Sequence, residues 1–276
     1  MKKILIIIGL GLVVLLAAAG IILYPSLKVM LHTEIIQLDP TLTVVQGGGG
    51  NSGIIVGDSA VIIIDTKMMG KSEDLFKLAK EKAGKKPLIV VNTHFHRDHV
   101  SGNKYYKGSP IYIGNYEKSF LEKNVDPENQ PNQFVKDSCA INIGGDEVLL
   151  YDLGRAHTTH DLVVYLPKHG VLFTGDLVSN RINPVLKDES SANVTLWIGV
   201  LDTIVSRWSS SRIIPGHGNY GDKGIVLAMR QYFLDLTEAA KDPTKANQLT
   251  KKYSDWLTMP SMSSPEKTVE YIKSHL

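Results

Sequence analysis

Disulfide bonding is excluded by composition: Cys139 is the only cysteine in 276 residues, so no intramolecular bridge can form in any redox compartment. Flanked by Ser138, Ala140 and Ile141, it reads as a small buried packer at the start of a strand, with no catalytic part. An excess of one charge is missing as well. The 30 basic and 28 acidic residues leave a formal charge of +2, and without a long Lys/Arg run the chain carries no electrostatic footprint for nucleic acid. Coiled-coil and low-complexity segments are absent too. With 43% hydrophobic and 21% charged residues, the composition is that of an ordinary globular protein with room for one large domain.

Polar side chains are missing from one further place. Lys2 and Lys3 precede an apolar stretch from Ile4 to Leu23 that would span about 30 Å as a helix, the thickness of a bilayer's hydrocarbon core. Residues 1–24 therefore read as a signal-anchor or transmembrane segment, 25–34 as a juxtamembrane linker and 35–276 as the working domain. The positive flank places that domain outside the cytoplasm, periplasmic or extracellular, although Lys28 weakens the asymmetry. Secretion after cleavage near Ala17-Ala18-Ala19 is the alternative, but Ile21, Ile22 and Leu23 follow those small residues and favour retention. No cysteine after the apolar run could accept a lipid.

What is present is an alternation of short β-branched runs, turns and amphipathic helices. Thr41 to Gln46, Gly53 to Val56 and Ala60 to Asp65 read as a strand meander, with Gly47 to Gly50 as a flexible hairpin tip near a substrate mouth. Ser72 can cap a helix that runs to about Ala83 and ends at Gly84. A buried strand from Pro87 to Val91 follows, then strands at Ile111 to Ile113, Glu147 to Tyr151, Asp161 to Leu166 and Val171 to Thr174. Apolar residues at helical spacing between Ala192 and Trp208 predict an amphipathic helix whose aromatics belong to the core. Arg212 to Pro215 forms a last short strand, and further helices occupy Asp222 to Leu276.

The strand ending at Val91 leads into His94-Phe95-His96-Arg97-Asp98-His99, three imidazoles and a carboxylate in six residues, a density of metal-ligand chemistry that a packed core has no reason to produce. On an extended chain His94, His96 and Asp98 share one side and His99 points away, so the backbone must curl near Asp98 for all four to converge. His157, Asp176 and His217 bring the candidates to seven, enough for two metals with one ligand shared. Imidazole nitrogens and carboxylate oxygens suit zinc, two ions per chain, and iron or manganese also accept this set. His32, His169 and His275 fit no pattern and read as solvated.

This order of motifs resembles the metallo-β-lactamase superfamily: the His-x-His-x-Asp-His box after a strand, His157 in Ala-His-Thr-Thr, Asp176 in Thr-Gly-Asp-Leu and His217 in Pro-Gly-His-Gly. The resemblance covers roughly residues 35 to 225 and implies an α/β fold, a four-layer αβ/βα sandwich of two mixed sheets with helices outside. It implies that His94, His96 and His157 hold one metal, that Asp98, His99 and His217 hold the other, and that Asp176 bridges them. It favours His157 over His160, which is left for the rim, and makes Asp65 either an acceptor for a ligand imidazole or a strand-end turn residue. A water activated between two cations needs no side-chain nucleophile, and Asp98 would orient it and move its proton.

Having Asp at 176 resembles the glyoxalase-II-like and lactonase-like branches, and the surrounding phrases an exported branch associated with quinoprotein systems. The most familiar β-lactamases carry Cys there with a lysine nearby, whereas Leu177, Val178 and Ser179 follow here. The expected substrate is thus a small ester, thioester or lactone, with β-lactam hydrolysis as the alternative. A redox di-iron member would be expected to carry Glu at position 96, and a structural zinc needs only four closed positions. Metal-binding without hydrolysis is the remaining option. Partners reduce to a small-molecule substrate and the membrane through the N-terminal segment; oligomeric state is not encoded in any motif.

Overall fold

The computed structural model describes residues 31–186, 191–208, 211–258 and 263–275, with Gly20 and Tyr24. The apolar segment expected to anchor the chain falls, Gly20 apart, outside these residues. Among the described residues no helix is long and apolar enough to cross a membrane.

Seven strands, β1 (Thr33–Gln37), β2 (Leu42–Gly47), β3 (Ser52–Val56), β4 (Val61–Ile64), β5 (Leu88–Val91), β6 (Ile111–Gly114) and β7 (Gln133–Val135), lie side by side in chain order. The first four pair antiparallel and the last four parallel. The second sheet has five strands: β8 (Ser138–Asn142), β9 (Glu147–Asp152), β10 (Leu162–Leu166), β11 (Val171–Ser179) and β12 (Arg212–His217). Neighbours pair antiparallel except β11 and β12, which are parallel.

Helices cover both outer faces. The α1 helix (Gly70–Ala83) puts Leu75, Ala79 and Ala83 against Val61, Ile63 and Val90, while Ile62, Ile64 and Val91 turn inward to Val148, Leu150, Val164 and Phe173 of the other sheet. Strand β4 is buried at every residue because period-two alternation feeds two apolar layers at once. On the far side α4 (Val194–Arg207) and α5 (Lys223–Lys241) pack Trp197, Leu201, Met229 and Phe233 on Val163, Leu172 and Ile213. The architecture is the expected four-layer sandwich. Between these lie the short α2 (Arg97–Val100) and α3 (Lys118–Asn124), and after them α6 (Ala246–Lys252) and α7 (Pro265–Ser274).

Several expectations need correction. Strand β1 begins at Thr33, inside the stretch read as linker. Ser72 does not cap α1, which starts at Gly70 without a side-chain cap; its hydroxyl is buried without a hydrogen bond. Cys139 is only half-buried at the start of β8. The glycine hairpin is no free tip, since Gly48, Gly49 and Gly50 are all buried.

His169 is not solvated. Its side chain is 4% exposed, with Nδ1 2.6 Å from Asp39 Oδ2 and Nε2 2.5 Å from Asp146 Oδ2. These residues stand in the β1–β2, β8–β9 and β10–β11 connections, so one imidazole fastens both sheets at one end of the sandwich. Replacing it, H169A, strands the Asp146 carboxylate, which is 3% exposed, and frees Asp39, which is 33% exposed. The expected loss is about 1–3 kcal/mol, the cost of leaving a buried acceptor without its partner. Urea unfolding measures it, and an unchanged midpoint would contradict the fastening role.

Candidate metal centre

Strand β5 ends in the sandwich interior, and the chain beyond it turns twice. His96 is extended at φ −64°, ψ 149° and then α2 begins, with His99 N–H bonded to His96 O at 2.9 Å. This is the curl that the box requires, and it swings His99 back beside Asp98. The carbonyl of His99 accepts from Thr66 N–H at 2.8 Å and Asn92 Nδ2 at 2.9 Å, with Thr66 Oγ1 at 3.1 Å. The turn is therefore fixed from below.

All seven sequence-predicted ligands converge. His94, His96, His157 and Asp176 form one group, Asp98, His99 and His217 another, and within each the ligand atoms lie no more than 4.8 Å apart. Asp176 stands between the groups. Its Oδ2 is 3.8 Å from His94 Nε2 and 3.5 Å from His157 Nε2, while Oδ1 is 3.1 Å from His99 Nε2 and 3.3 Å from His217 Nε2. Asp98 Oδ2 lies 3.2 Å from His217 Nε2. His160 joins neither group; its Nδ1 pairs with Asp152 Oδ2 at 2.8 Å on a half-buried side chain.

The donor set fits metal ions. His96 Nδ1 faces both His94 Nε2 and His157 Nε2 at 3.0 Å, but a ring nitrogen carries either one proton or one lone pair, so it cannot make a full hydrogen bond to both. His99 Nε2 and Asp176 Oδ1 are buried without a hydrogen bond, a cost of about 1–3 kcal/mol each unless something meets them. A cation in each group would meet them. Each group offers soft nitrogen and hard oxygen donors in the number that zinc-type sites use.

Tautomers are set from behind. Asp65 Oδ1 accepts Thr93 N–H and its Oδ2 accepts the Thr93 hydroxyl and His99 Nδ1–H, each at 2.8 Å. With its proton given to Asp65, Thr93 Oγ1 can only accept from His94 Nδ1, 3.1 Å away. Nδ1 of both imidazoles is thus engaged, which leaves Nε2 as the atom that each turns into the centre, and one carboxylate orients two candidate ligands. Of the two readings of Asp65, the structure shows the acceptor. It also sits at φ +54°, so it closes its strand in a turn as well.

Burial divides the imidazoles. His94, His99 and His157 are at most 2% exposed, and the side chains of Asp98, Asp176 and His217 are 23%, 12% and 20% exposed, which gives the centre one open side. Burial holds the basicity of His94 well down and that of His157 at about 3, so both are neutral and ready to ligate. Burial also works against charge on His99 and His217, but Asp65 and Asp176 raise the first well above its ordinary range, and Asp176 with Asp98 pushes the second up to about 10. Burial raises the Asp176 carboxyl, yet the facing histidines bring it well below the usual range.

Three contributors escaped the sequence reading. Thr93 carries the proton link just described. Asn51 sends its amide to the carbonyls of Pro215 and Gly218 beside His217, both at 2.8 Å. Lys67 is fully buried, and burial draws its pKa down to about 7 against the pull of Asp65 and Asp98. A lysine directly after Asp65-Thr66 and before Met68-Met69 was the one available signal. Gly216 is constrained too, since a Cβ there would lie 2.0 Å from Asp176 Oδ1.

The sequence model described as the metallo-beta-lactamase superfamily matches residues 45–217. A metallo-beta-lactamase type 2 of Bacteroides fragilis is 24% identical over 245 residues, 84% of this chain and 98% of its own length. Among solved structures, a metallo-beta-lactamase from Pontibacter korlensis superposes with a TM-score of 0.66 at 21% identity, over 74% of this chain and all of its own. The inverting sec-alkylsulfatase Pisa1 from Pseudomonas sp. reaches 0.72 at 16% identity, over 88% of this chain and 50% of its own. At those identities the structural likeness speaks for the fold alone.

The protonation pattern makes metal uptake pH-dependent. Without metal, His217 keeps its proton up to about pH 10 and His99 well past its ordinary range, whereas a metal needs both lone pairs. Binding at pH 7 must expel protons, so apparent affinity rises with pH by about tenfold per unit for each proton expelled and flattens only once both groups have lost them. Zinc titration of the metal-free chain in a pH-stat tests this; affinity independent of pH contradicts it.

Proposed function

Since the chain belongs to the metallo-beta-lactamase superfamily and is a metal-dependent hydrolase of that fold, we propose that its centre holds two metal ions, zinc foremost, and opens the amide of a β-lactam ring. The observation that carries the dinuclear reading is Asp176, with one oxygen turned to each ligand group. The curated relatives, named as β-lactamases over most of this chain's length, support the choice of substrate.

When bound, the metals supply Lewis acidity, polarising a carbonyl and bringing a water's pKa near neutrality. The chain does the rest. His94 and His157 present neutral nitrogens on the buried wall with the half-buried His96 beside them, while Asp98 and His217 line the open side where a substrate enters. Asp98 accepts a proton from the attacking water on its free oxygen and passes it to the departing nitrogen. Asp65 and Thr93 keep His99 and His94 from rotating, so the groups meet the substrate in a fixed arrangement. Residues 1–24 remain our candidate for an anchor that holds this domain outside the cytoplasm.

A second reading, hydrolysis of a small ester, thioester or lactone, has its own support. Asp176 occupies the position where familiar β-lactamases carry Cys, and Leu177, Val178 and Ser179 follow it without the lysine that grips a drug carboxylate. This is the glyoxalase-II-like and lactonase-like pattern.

One preparation of the full chain decides between them. Nitrocefin turnover that exceeds lactone and thioester turnover in kcat/KM, and disappears with a chelator and returns with zinc, is the expected result. Lactone or thioester turnover tenfold above nitrocefin transfers the assignment to the second reading. Hydrolysis that survives complete metal removal contradicts both.

A further inference from the structure

The buried ammonium of Lys67 donates to the carbonyls of Val45 at 2.9 Å, Gly50 at 2.8 Å and Gly47. An ammonium has three protons, and the β2–β3 hairpin supplies an acceptor for each. That hairpin lies directly on two ligands: a Cβ at Gly49 would stand 2.9 Å from Asp98 Cβ, and one at Gly50 2.5 Å from the His99 ring. Its far end is tied to a third. Asn51 accepts Gly47 N–H at 2.9 Å, gives its own N–H to Gly216 O at 2.7 Å, and sends its amide to Pro215 O and Gly218 O, the turn that carries His217.

All of these contacts converge on Asp98, His99 and His217, and none involves His94, His96 or His157. Lys67 also sits at φ +61°, a left-handed conformation that is unfavourable for a residue with a Cβ. Glycine would be easier there, so the side chain repays its place.

We propose that Lys67 is a positioning residue of the centre: its ammonium, caged by the carbonyls of Val45, Gly47 and Gly50, pins the hairpin onto Asp98 and His99 and, through Asn51, against the His217 turn. The second metal group is then complete only while the hairpin is held down. This role rests on the two groups being metal ligands, and the test separates the two claims.

Zinc titration of the full chain comes first; a chain that takes up no metal overturns the metal reading and this role with it. In a C139S background, K67M is expected to bind the first ion unchanged and the second about 10- to 100-fold more weakly, the usual effect of losing support behind a ligand, with kcat falling more than KM rises. K67C should show the same loss, and alkylation with bromoethylamine while unfolded, followed by refolding, restores an ammonium of similar reach and should recover the second affinity. A folded K67M that binds both ions as the parent does, or a K67C defect that aminoethylation leaves in place, overturns the proposal. If K67M fails to fold by circular dichroism, N51A keeps Lys67 and cuts the side-chain ties to Gly47, Pro215 and Gly218. Selective weakening of the second ion supports the role; equal weakening of both, or none, refutes it.

Discussion

A carboxylate held among four imidazoles, Asp176, is the constraint around which this molecule is built. An anion so enclosed costs several kcal/mol unless positive charge meets it, and the chain offers that charge in two forms. Without metal, protonated His99 and His217 supply it; bound metal would supply it instead, and the protons would leave. The same geometry explains the irregularity of β11. Its register against β12 shifts between Phe173 and Gly175 and again between Gly175 and Ser179, which re-aims a side chain as such irregularities do, and Gly216 across the gap leaves room for the Asp176 oxygen.

The two candidate ligand groups are secured differently. His94 follows β5 directly, and His157 lies against Trp197, whose ring centroid is 5.1 Å away and whose indole N–H is bonded to Leu177 O at 2.8 Å. That wall is core. Asp98 and His99 sit instead in the one-turn α2 and His217 at the very end of β12, and such short ends keep their shape through hydrogen bonds: Asp65 to His99, Thr66 and Asn92 to its carbonyl, Asn51 to the 215–218 segment, Lys67 to the hairpin above. Ligands from both sheets meet only when the sandwich is closed, so the centre and the fold form together.

Local chemistry was legible in the sequence and long-range chemistry was not. The His-x-His-x-Asp-His box, the turn inside it and the three distant ligands could be named because each ligand type is rare in a core and each sits in a turn-rich phrase. The strands of the meander could be placed because β-branched runs alternate with turn residues. His169 was missed because its partners lie 130 and 23 residues away, and no spacing rule pairs them. Lys67 was missed for the same reason: its acceptors are backbone carbonyls, which leave no mark on composition. The glycine run suggested freedom where the structure shows close approach, since glycine serves both needs and only the neighbours decide which. Substrate choice follows the same division, because the walls around the open side come from loops and not from periodic elements.

The central claim is that one carboxylate joins two metal ions in a single centre. Electron paramagnetic resonance of the full chain loaded with cobalt tests it most directly. Two cobalt ions per chain with an exchange-coupled spectrum, replaced in D176N by the signal of isolated ions, is the result this account predicts. A single ion, or two that show no coupling in the parent chain, would contradict it.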